Sequence, residues 1–232
     1  MSEEAASKAL VGIEIAKRAR SGEVIGVGTG STVDAAIKAL SKRTREEGLQ
    51  ISVVTTSYES SWHCSELGLT VLDRVFPDEI AWGFDGADAV DPAGNAIKGK
   101  GGALLEEKIL AKKCLNYTLI VDGTKLAADV CIHCAIPVEI VPSARSIVEA
   151  GLKSLGAVTM GLRDAEPGKH GPAVTEHGNI LLDVSFAEFE PGLEAKIKGL
   201  VGVVDSGLFE GYADTVLVAR SGIVETRTIT KR

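Results

Sequence analysis

Residues 84–109 read FDGADAVDPAGNAIKGKGGALLEEKI, and the order of chemistry along them decides the fold. An apolar run that begins at Ile80, IAWGF, ends in two aspartates three apart, Asp85 and Asp88. A lysine and a glycine-rich turn follow, Lys98-Gly99-Lys100-Gly101-Gly102, and then ALLEEKILAKK from Ala103, which has a helical pattern. Strand, polar turn and helix form the α/β repeat. Proteins built this way hold ligands where strands end and helices begin, because side chains and free backbone N–H groups converge there. Carboxylates beside a lysine and a glycine turn suit a ligand that is both hydroxyl-rich and anionic, such as a sugar phosphate.

A second segment repeats the pattern. Val24–Thr32, VIGVGTGST, is a β-branched run that enters a Gly-Thr-Gly-Ser-Thr turn, and VDAAIKAL continues it at helical spacing. Gly28 and Gly30 let the backbone turn tightly and approach an anion. Ser31 and Thr32 add hydroxyls beside the N–H groups of the helix start, where the dipole favours negative charge. The third glycine of the dinucleotide fingerprint is missing, and no Gly-Lys-Ser/Thr closes a Walker A loop. On its own the turn reads equally as a phosphate cradle or as a tight strand-to-helix connection.

Outward from these two segments, strand and helix patterns alternate up to about Asp129. ISVVT from Ile51, LTVL from Leu69 and YTLIV from Tyr117 are further strands, with helices at DAAIKALSKRTREEG and ESSWHCSELG. Short apolar strands separated by helices predict a parallel sheet covered on both faces. From Ile136 the order becomes strand (IPVEIV), helix (SARSIVEAGLKSLG), strand (AVTMGLR), strand (NILLDVSF), helix (PGLEAKIKGL) and strand (VGVVDS). That is the β-α-β-β-α-β order of a ferredoxin-like unit. The last segments, DTVLVAR and IVETRTI, read as a hairpin able to return to the first sheet. The expected division is therefore an α/β, Rossmann-like domain over 1–131 and 208–232, with an α+β ferredoxin-like insert over 132–207.

Composition narrows the function classes. The chain has 232 residues and a hydrophobic fraction of 45%, enough to bury a proper core. Aromatics at 4% argue against stacking platforms for single-stranded nucleic acid, and a net charge of -7 leaves no basic footprint. No apolar run approaches the ~20 residues of a membrane span. The start, MSEEAASKALVGIEIAKRA, reads as an amphipathic helix without a signal-peptide apolar core. Cys131 and Cys134 have C-x-x-C spacing, but no second ligand pair follows, so reduced thiols are the default reading. Trp62 and Trp82 read as core, and Arg145 and Arg220 as structural or interfacial. His63, His133, His170 and His177 share no spacing with a carboxylate set.

Taken together, these motifs resemble ribose-5-phosphate isomerases of the A type. GVGTGST at 26–32, DGAD at 85–88 and IKGKGGALLEEKI at 97–109 carry the resemblance. VDGTK at 121–125, IPVEIVPSARS at 136–146, GNILLDV at 178–184 and GVVDSGLF at 202–209 extend it over nearly the whole chain. The resemblance implies an isomerase that uses no cofactor and no metal, acts on a small sugar phosphate, lies in the cytoplasm, and forms a homodimer or dimer of dimers. It implies that Glu107 transfers the proton, whereas the residues alone read Glu106 and Glu107 as ordinary first-turn glutamates. It places Asp85, Asp88 and Lys98 among the catalytic groups. The substrate contacts it implies are Thr29, Gly30, Ser31, Thr32, Gly86, Ala87, Gly99, Lys100, Gly101 and Lys125, with Lys8 as a helper for the phosphate. Two positions depart from the family pattern: Lys100 stands where a glycine is usual, and Ala89 where a glutamate is usual. Two other classes remain to be weighed: a sugar-phosphate-sensing domain that binds without turnover, and a coenzyme A transferase or amino-sugar-phosphate deaminase of similar fold. For the sensing domain, Met1–Arg20 is too short to supply a helix-turn-helix.

Overall fold

The computed structural model describes residues 3–73, 76–78, 80–165, 167–168 and 170–230. These residues form two compact units, one of residues 1–87, 106–126 and 212–232, the other of residues 88–105 and 127–211.

In the first unit, seven strands form one sheet among the described residues. They are β1 (Val24–Val27), β2 (Ser52–Thr55), β3 (Thr70–Val71), β4 (Trp82–Asp85), β7 (Tyr117–Asp122), β13 (Thr215–Arg220) and β14 (Ile223–Thr228). Their order across the sheet is β14-β13-β7-β4-β1-β2-β3. All pairs are parallel except β13–β14, so the C-terminal hairpin does return to the first sheet, with β13 laid beside β7. The central strands are apolar and buried on both faces, as a helix-covered parallel sheet requires. β14 is one edge, and its exposed Glu225, paired with the half-buried Arg227, blunts it against further pairing.

The helices α1 (Glu3–Arg18), α2 (Ser31–Glu47), α3 (Tyr58–Glu66) and α4 (Leu104–Lys113) belong to this α/β pattern. α1 and α2 cross closely at Gly12, where a Cβ would sit 2.7 Å from the Ala35 carbonyl. α2 stops at Gly48, whose left-handed φ of 67° is a glycine-favoured terminator. Trp82 is core as expected, but Trp62 is not: it is 65% exposed on α3 and stacks on Tyr58. Its position on the helix, not its size, sets its exposure, because Ser60 and Cys64 supply the buried face.

In the second unit, β8 (Ile136–Ile140), α6 (Arg145–Ser154), β9 (Thr159–Leu162), β10 (Ile180–Ser185), α7 (Leu193–Lys198) and β11 (Val203–Ser206) follow the expected β-α-β-β-α-β order. The sheet order β11-β8-β10-β9, antiparallel throughout, is the ferredoxin-like arrangement. Val138, Ile140, Leu182 and Val184 form a core with Val148, Leu152 and Ile197 of the helices. Beside it lies a small sheet unforeseen from sequence, β5 (Ala89–Val90), β6 (Ala96–Ile97) and β12 (Leu208–Phe209), antiparallel throughout. Its two-residue strands are too short for a periodicity to show. Because Ala89, Ile97 and Leu208 share that core, residues 88–105, 127–131 and 208–211 fall in this unit, outside the expected 132–207.

Candidate active site

The first unit's sheet reverses direction of growth between β1 and β4: the chain adds β2 and β3 on one side, then β7 and β13 on the other. In doubly wound sheets, that switch point opens the crevice in which ligands bind. The two strand ends there carry the motifs singled out by sequence. The Gly28 N–H donates to the Phe84 carbonyl at 2.9 Å, joining the two ends. Asp85, fully buried, accepts N–H donors from Thr29 at 3.1 Å and Gly86 at 2.7 Å on one oxygen. Gly28 has to be glycine, since a Cβ would lie 2.0 Å from the Asp85 carboxyl. Gly30, at φ 111° and ψ 171°, occupies a region closed to side chains and caps α2 without a side-chain acceptor.

The hydroxyls divide. Thr29 Oγ1 turns into the protein, donating to Ser57 Oγ at 2.8 Å and lying 2.8 Å from Thr56 Oγ1. Ser60 Oγ completes the cluster by donating to the Gly28 carbonyl at 2.8 Å. Ser31 instead accepts from Lys8 Nζ at 2.9 Å, so the structure brings that lysine to the turn. Thr32 stands in the first turn of α2.

Glu107 lies on the buried face of α4, and the reason is visible in two glycines. Gly26 of β1 and Gly83 of β4 are direct register partners. Side chains at either would collide with α4 or the residue just past its end: a Cβ at Gly26 would sit 2.6 Å from Leu110 Cδ1, one at Gly83 2.6 Å from Cys114 Sγ. Glu107, Leu110 and Cys114 follow i, i+3, i+7 spacing, so the stripe that packs on the glycines also carries Glu107 inward. Glu107 is 5% exposed, whereas Glu106, about 100° round the helix, is only partly buried.

Tyr117 of β7 was not singled out by sequence, because its setting reads as an ordinary buried strand. Its hydroxyl donates to Asp85 at 3.4 Å. Burial first, and then the Asp85 and Glu107 carboxylates, push its phenol well above the ordinary range. The phenol thus stays protonated as a donor and senses both acids. Its signal in sequence was only a polar-tipped residue beginning a mostly apolar strand.

Lys125 closes a 3-10 turn, Gly123–Lys125, after β7. It lines a cleft of about 750 Å3 with Glu4, Ser7, Asp122, Arg220 and Ser221. Arg220, expected to be structural or interfacial, stands in that cleft with its stem 3.3 Å from where a Gly123 Cβ would be.

In the second unit, Asp88 and the Lys98–Gly101 turn come together. Asp88 accepts the Lys100 N–H at 3.2 Å and donates its own N–H to the Ile97 carbonyl at 2.7 Å. Lys98 is 2% exposed, with Nζ 5.7 Å from the Phe209 ring centroid, a cation–π distance. Its N–H donates to the Gly207 carbonyl at 2.8 Å. Gly99 and Gly102 take left-handed φ of 87° each, while Lys100 and Gly101 do not. Lys100 therefore costs the turn no strain, and its residue is exposed. Ala89 is fully buried in the second core, where a glutamate carboxylate would need burial with it.

Cys131 lies inside the short helix α5 (Val130–His133) and Cys134 just past its end. Burial pushes the Cys131 thiol up to about 12, with Asp129 adding to it, so it carries no thiolate near neutrality. Among the described residues, no group of three His, Cys, Asp or Glu is placed to hold a metal ion. No described helix is long and apolar enough to cross a membrane.

A buried acid and a glycine turn at a sheet's point of reversal are the ligand-binding arrangement of doubly wound α/β proteins. Comparison narrows that class. Residues 52–222 match the family model of ribose 5-phosphate isomerase A (phosphoriboisomerase A). The ribose-5-phosphate isomerase A of Methanothermobacter thermautotrophicus is 41% identical over 86% of this chain and 88% of its own. That of Synechococcus sp. (strain RCC307) is 37% identical over 97% and 96%. Among solved structures, ribose 5-phosphate isomerase A of Methanocaldococcus jannaschii superposes with a TM-score of 0.89, 33% identity and coverage of 96% and 98%. A D-ribose-5-phosphate isomerase in complex with phospho-erythronic acid superposes with a TM-score of 0.91, 32% identity and coverage of 96% and 97%. The chain belongs to the ribose 5-phosphate isomerase A family.

Proposed function

We propose that this chain interconverts D-ribose 5-phosphate and D-ribulose 5-phosphate through an enediolate, with Glu107 as the proton-transferring base. Beside family membership, the observation that carries the proposal is the inward face of α4, which buries Glu107 beside a tyrosine that also meets Asp85. Aldose-to-ketose conversion moves one hydrogen from C2 to C1, and a single carboxylate can take the proton from one carbon and return it to the other. A base removed from water works at neutral pH better than an exposed one.

The remaining groups then have chemical assignments. Lys98, a buried cation, stabilises charge that develops on the enediolate oxygens. Asp85 and Asp88 accept from the sugar hydroxyls and assist ring opening. The 29–32 turn, opening α2 without a side-chain acceptor at Gly30, holds the phosphate, with Lys8 and Lys125 supplying positive charge. Thr29 acts there through its fixed place in the turn, because its hydroxyl is tied to Thr56 and Ser57. Gly86, Ala87, Gly99, Lys100 and Gly101 contribute backbone contacts. Phospho-erythronic acid, bound by the similar solved isomerase, is a phosphorylated four-carbon sugar acid. Its planar carboxylate carries the charge an enediolate would carry.

Coupled assays with ribose 5-phosphate and with glucosamine 6-phosphate test the proposal. Turnover of the first alone is expected. Turnover of the second instead points to a deaminase, and binding of both without turnover to a sensing domain. Since lysines supply the positive charge, activity should persist after exhaustive EDTA treatment, and a loss restored by one divalent metal would overturn that part. The same proposal places the enzyme in the cytoplasm, in the non-oxidative pentose phosphate pathway, as a homodimer or dimer of dimers. Sedimentation analysis checks the oligomer.

A further inference from the structure

In the second unit's four-stranded sheet, alternate side chains of β8 and β10 divide between two faces. Val138, Ile140, Leu182 and Val184 enter the core, and Glu139, Leu181 and Asp183 stand on the opposite face. The Lys98–Gly102 turn lies against that opposite face: a Cβ at Gly102 would sit 3.5 Å from Leu181 Cδ1. Arg163, just past the end of β9, joins the two. Its Nε donates to Asp183 Oδ2 at 2.9 Å, and its Nη2 pairs with Asp183 Oδ1. Its Nη1 donates to the Gly99 carbonyl at 3.0 Å and to the Lys100 carbonyl at 2.8 Å.

Two successive carbonyls aimed at one donor are an unfavourable arrangement unless a cation holds them. The left-handed Gly99 permits it, and the guanidinium makes it stable. Asp183 fixes the plane of the guanidinium from the other side, a fork-to-fork geometry that a lysine cannot reproduce. The Gly207 carbonyl holds the Lys98 N–H, and Asp88 holds the Lys100 N–H. The Gly102 N–H also donates to the Gly99 carbonyl at 3.0 Å, so these bonds together hold the turn that follows Lys98, and among them Arg163 alone reaches two carbonyls.

We propose that Arg163, oriented by Asp183, is a positioning residue for the isomerisation: it sets the turn that aims Lys98 at the substrate. This rests on the proposed role of Lys98 and adds a residue that neither the spacing nor the motifs single out. A misplaced stabilising group costs the transition state more than the ground state, so the effect belongs in kcat.

The test compares Arg163→Ala, Arg163→Lys and Asp183→Asn with the unaltered protein on ribose 5-phosphate. Turnover is counted per molecule able to bind phospho-erythronic acid, so that unfolded protein is not scored. Arg163→Ala should lower kcat by ~10- to 100-fold with KM within about threefold. Arg163→Lys should fail to restore it, and added guanidinium at millimolar concentration should restore part of the Arg163→Ala loss. Asp183→Asn should shift kcat in the same direction by a smaller factor. If Arg163→Ala loses thermal stability but keeps kcat per competent molecule, the residue is merely structural and the proposal falls. If Arg163→Ala does not fold, an unchanged kcat in Asp183→Asn overturns it and a lowered one supports it. Absence of turnover in the unaltered protein would instead remove the isomerase assignment itself.

Discussion

At the scale of single residues, neighbouring side chains are separated by geometry that composition does not show. Glu106 and Glu107 are chemically identical and both stand within a turn of Leu110, yet Glu107 is buried and Glu106 only partly so. Glu107→Gln keeps the shape and removes the proton acceptor, so kcat should fall by ~10²-fold or more while phospho-erythronic acid still binds. Glu106→Gln should stay near the unaltered rate, and the reverse pattern in steady-state kinetics would move the base by one residue. Lys100 is a second case. Read from sequence, it threatens a turn in which glycine is usual; in the structure the left-handed positions are Gly99 and Gly102, on either side of it. Its backbone serves Asp88 and Arg163 while the residue is exposed. Lys100→Gly should therefore leave KM for ribose 5-phosphate within about threefold, below ~0.7 kcal/mol. A tenfold rise in KM at constant kcat would show that the ammonium contacts substrate.

At the scale of elements, legibility followed the length of the pattern. The strands β1, β2, β4 and β7 and the ferredoxin-like order were readable because each apolar run is four residues or more, bounded by turn residues. The sheet of β5, β6 and β12 was not, since two-residue strands leave no period and β12 lies more than a hundred residues further along the chain. Arg163 was missed for a related reason: its partners, Gly99, Lys100 and Asp183, are distant in sequence. The Gly28 turn was legible as tight but not in its cause, which is the Asp85 carboxyl lying against it. Gly28→Ala should push that carboxyl off the Thr29 and Gly86 N–H groups, because the added Cβ has no room. Crowding of this kind costs ~1–3 kcal/mol, read as a lower midpoint in urea unfolding. Turnover should fall more steeply than stability, as Asp85 is part of the site; unchanged values in both measurements would mean the turn gives way freely.

At the scale of the whole molecule, its ionisable interior sets the response to alkaline pH. Burial pushes the thiols of Cys64, Cys114 and Cys131 up to about 12, with Asp34, Asp214 and Asp129 respectively as the next causes. Tyr117 is likewise held neutral well above its ordinary range. An unfolded cysteine releases its proton near ~8.5 and an unfolded tyrosine near ~10. Between those values and the folded ones, the unfolded chain binds fewer protons than the folded protein, so ∂ΔG/∂pH is negative. Stability from these groups is fully present below about pH 8.5 and is lost as pH rises toward 12. Urea midpoints should hence be flat on this account near pH 7 and fall progressively from pH 9 upward. Cys114 provides the discriminating variant, since its sulfur fills the space above Gly26 and Gly83. Cys114→Ala should cost stability at pH 7 through the lost packing, yet show a shallower decline between pH 9 and 11, because one titrating group has been removed. A decline as steep as that of the unaltered protein would mean that Cys114 ionises in the folded state as readily as in the unfolded chain, and that burial does not govern it.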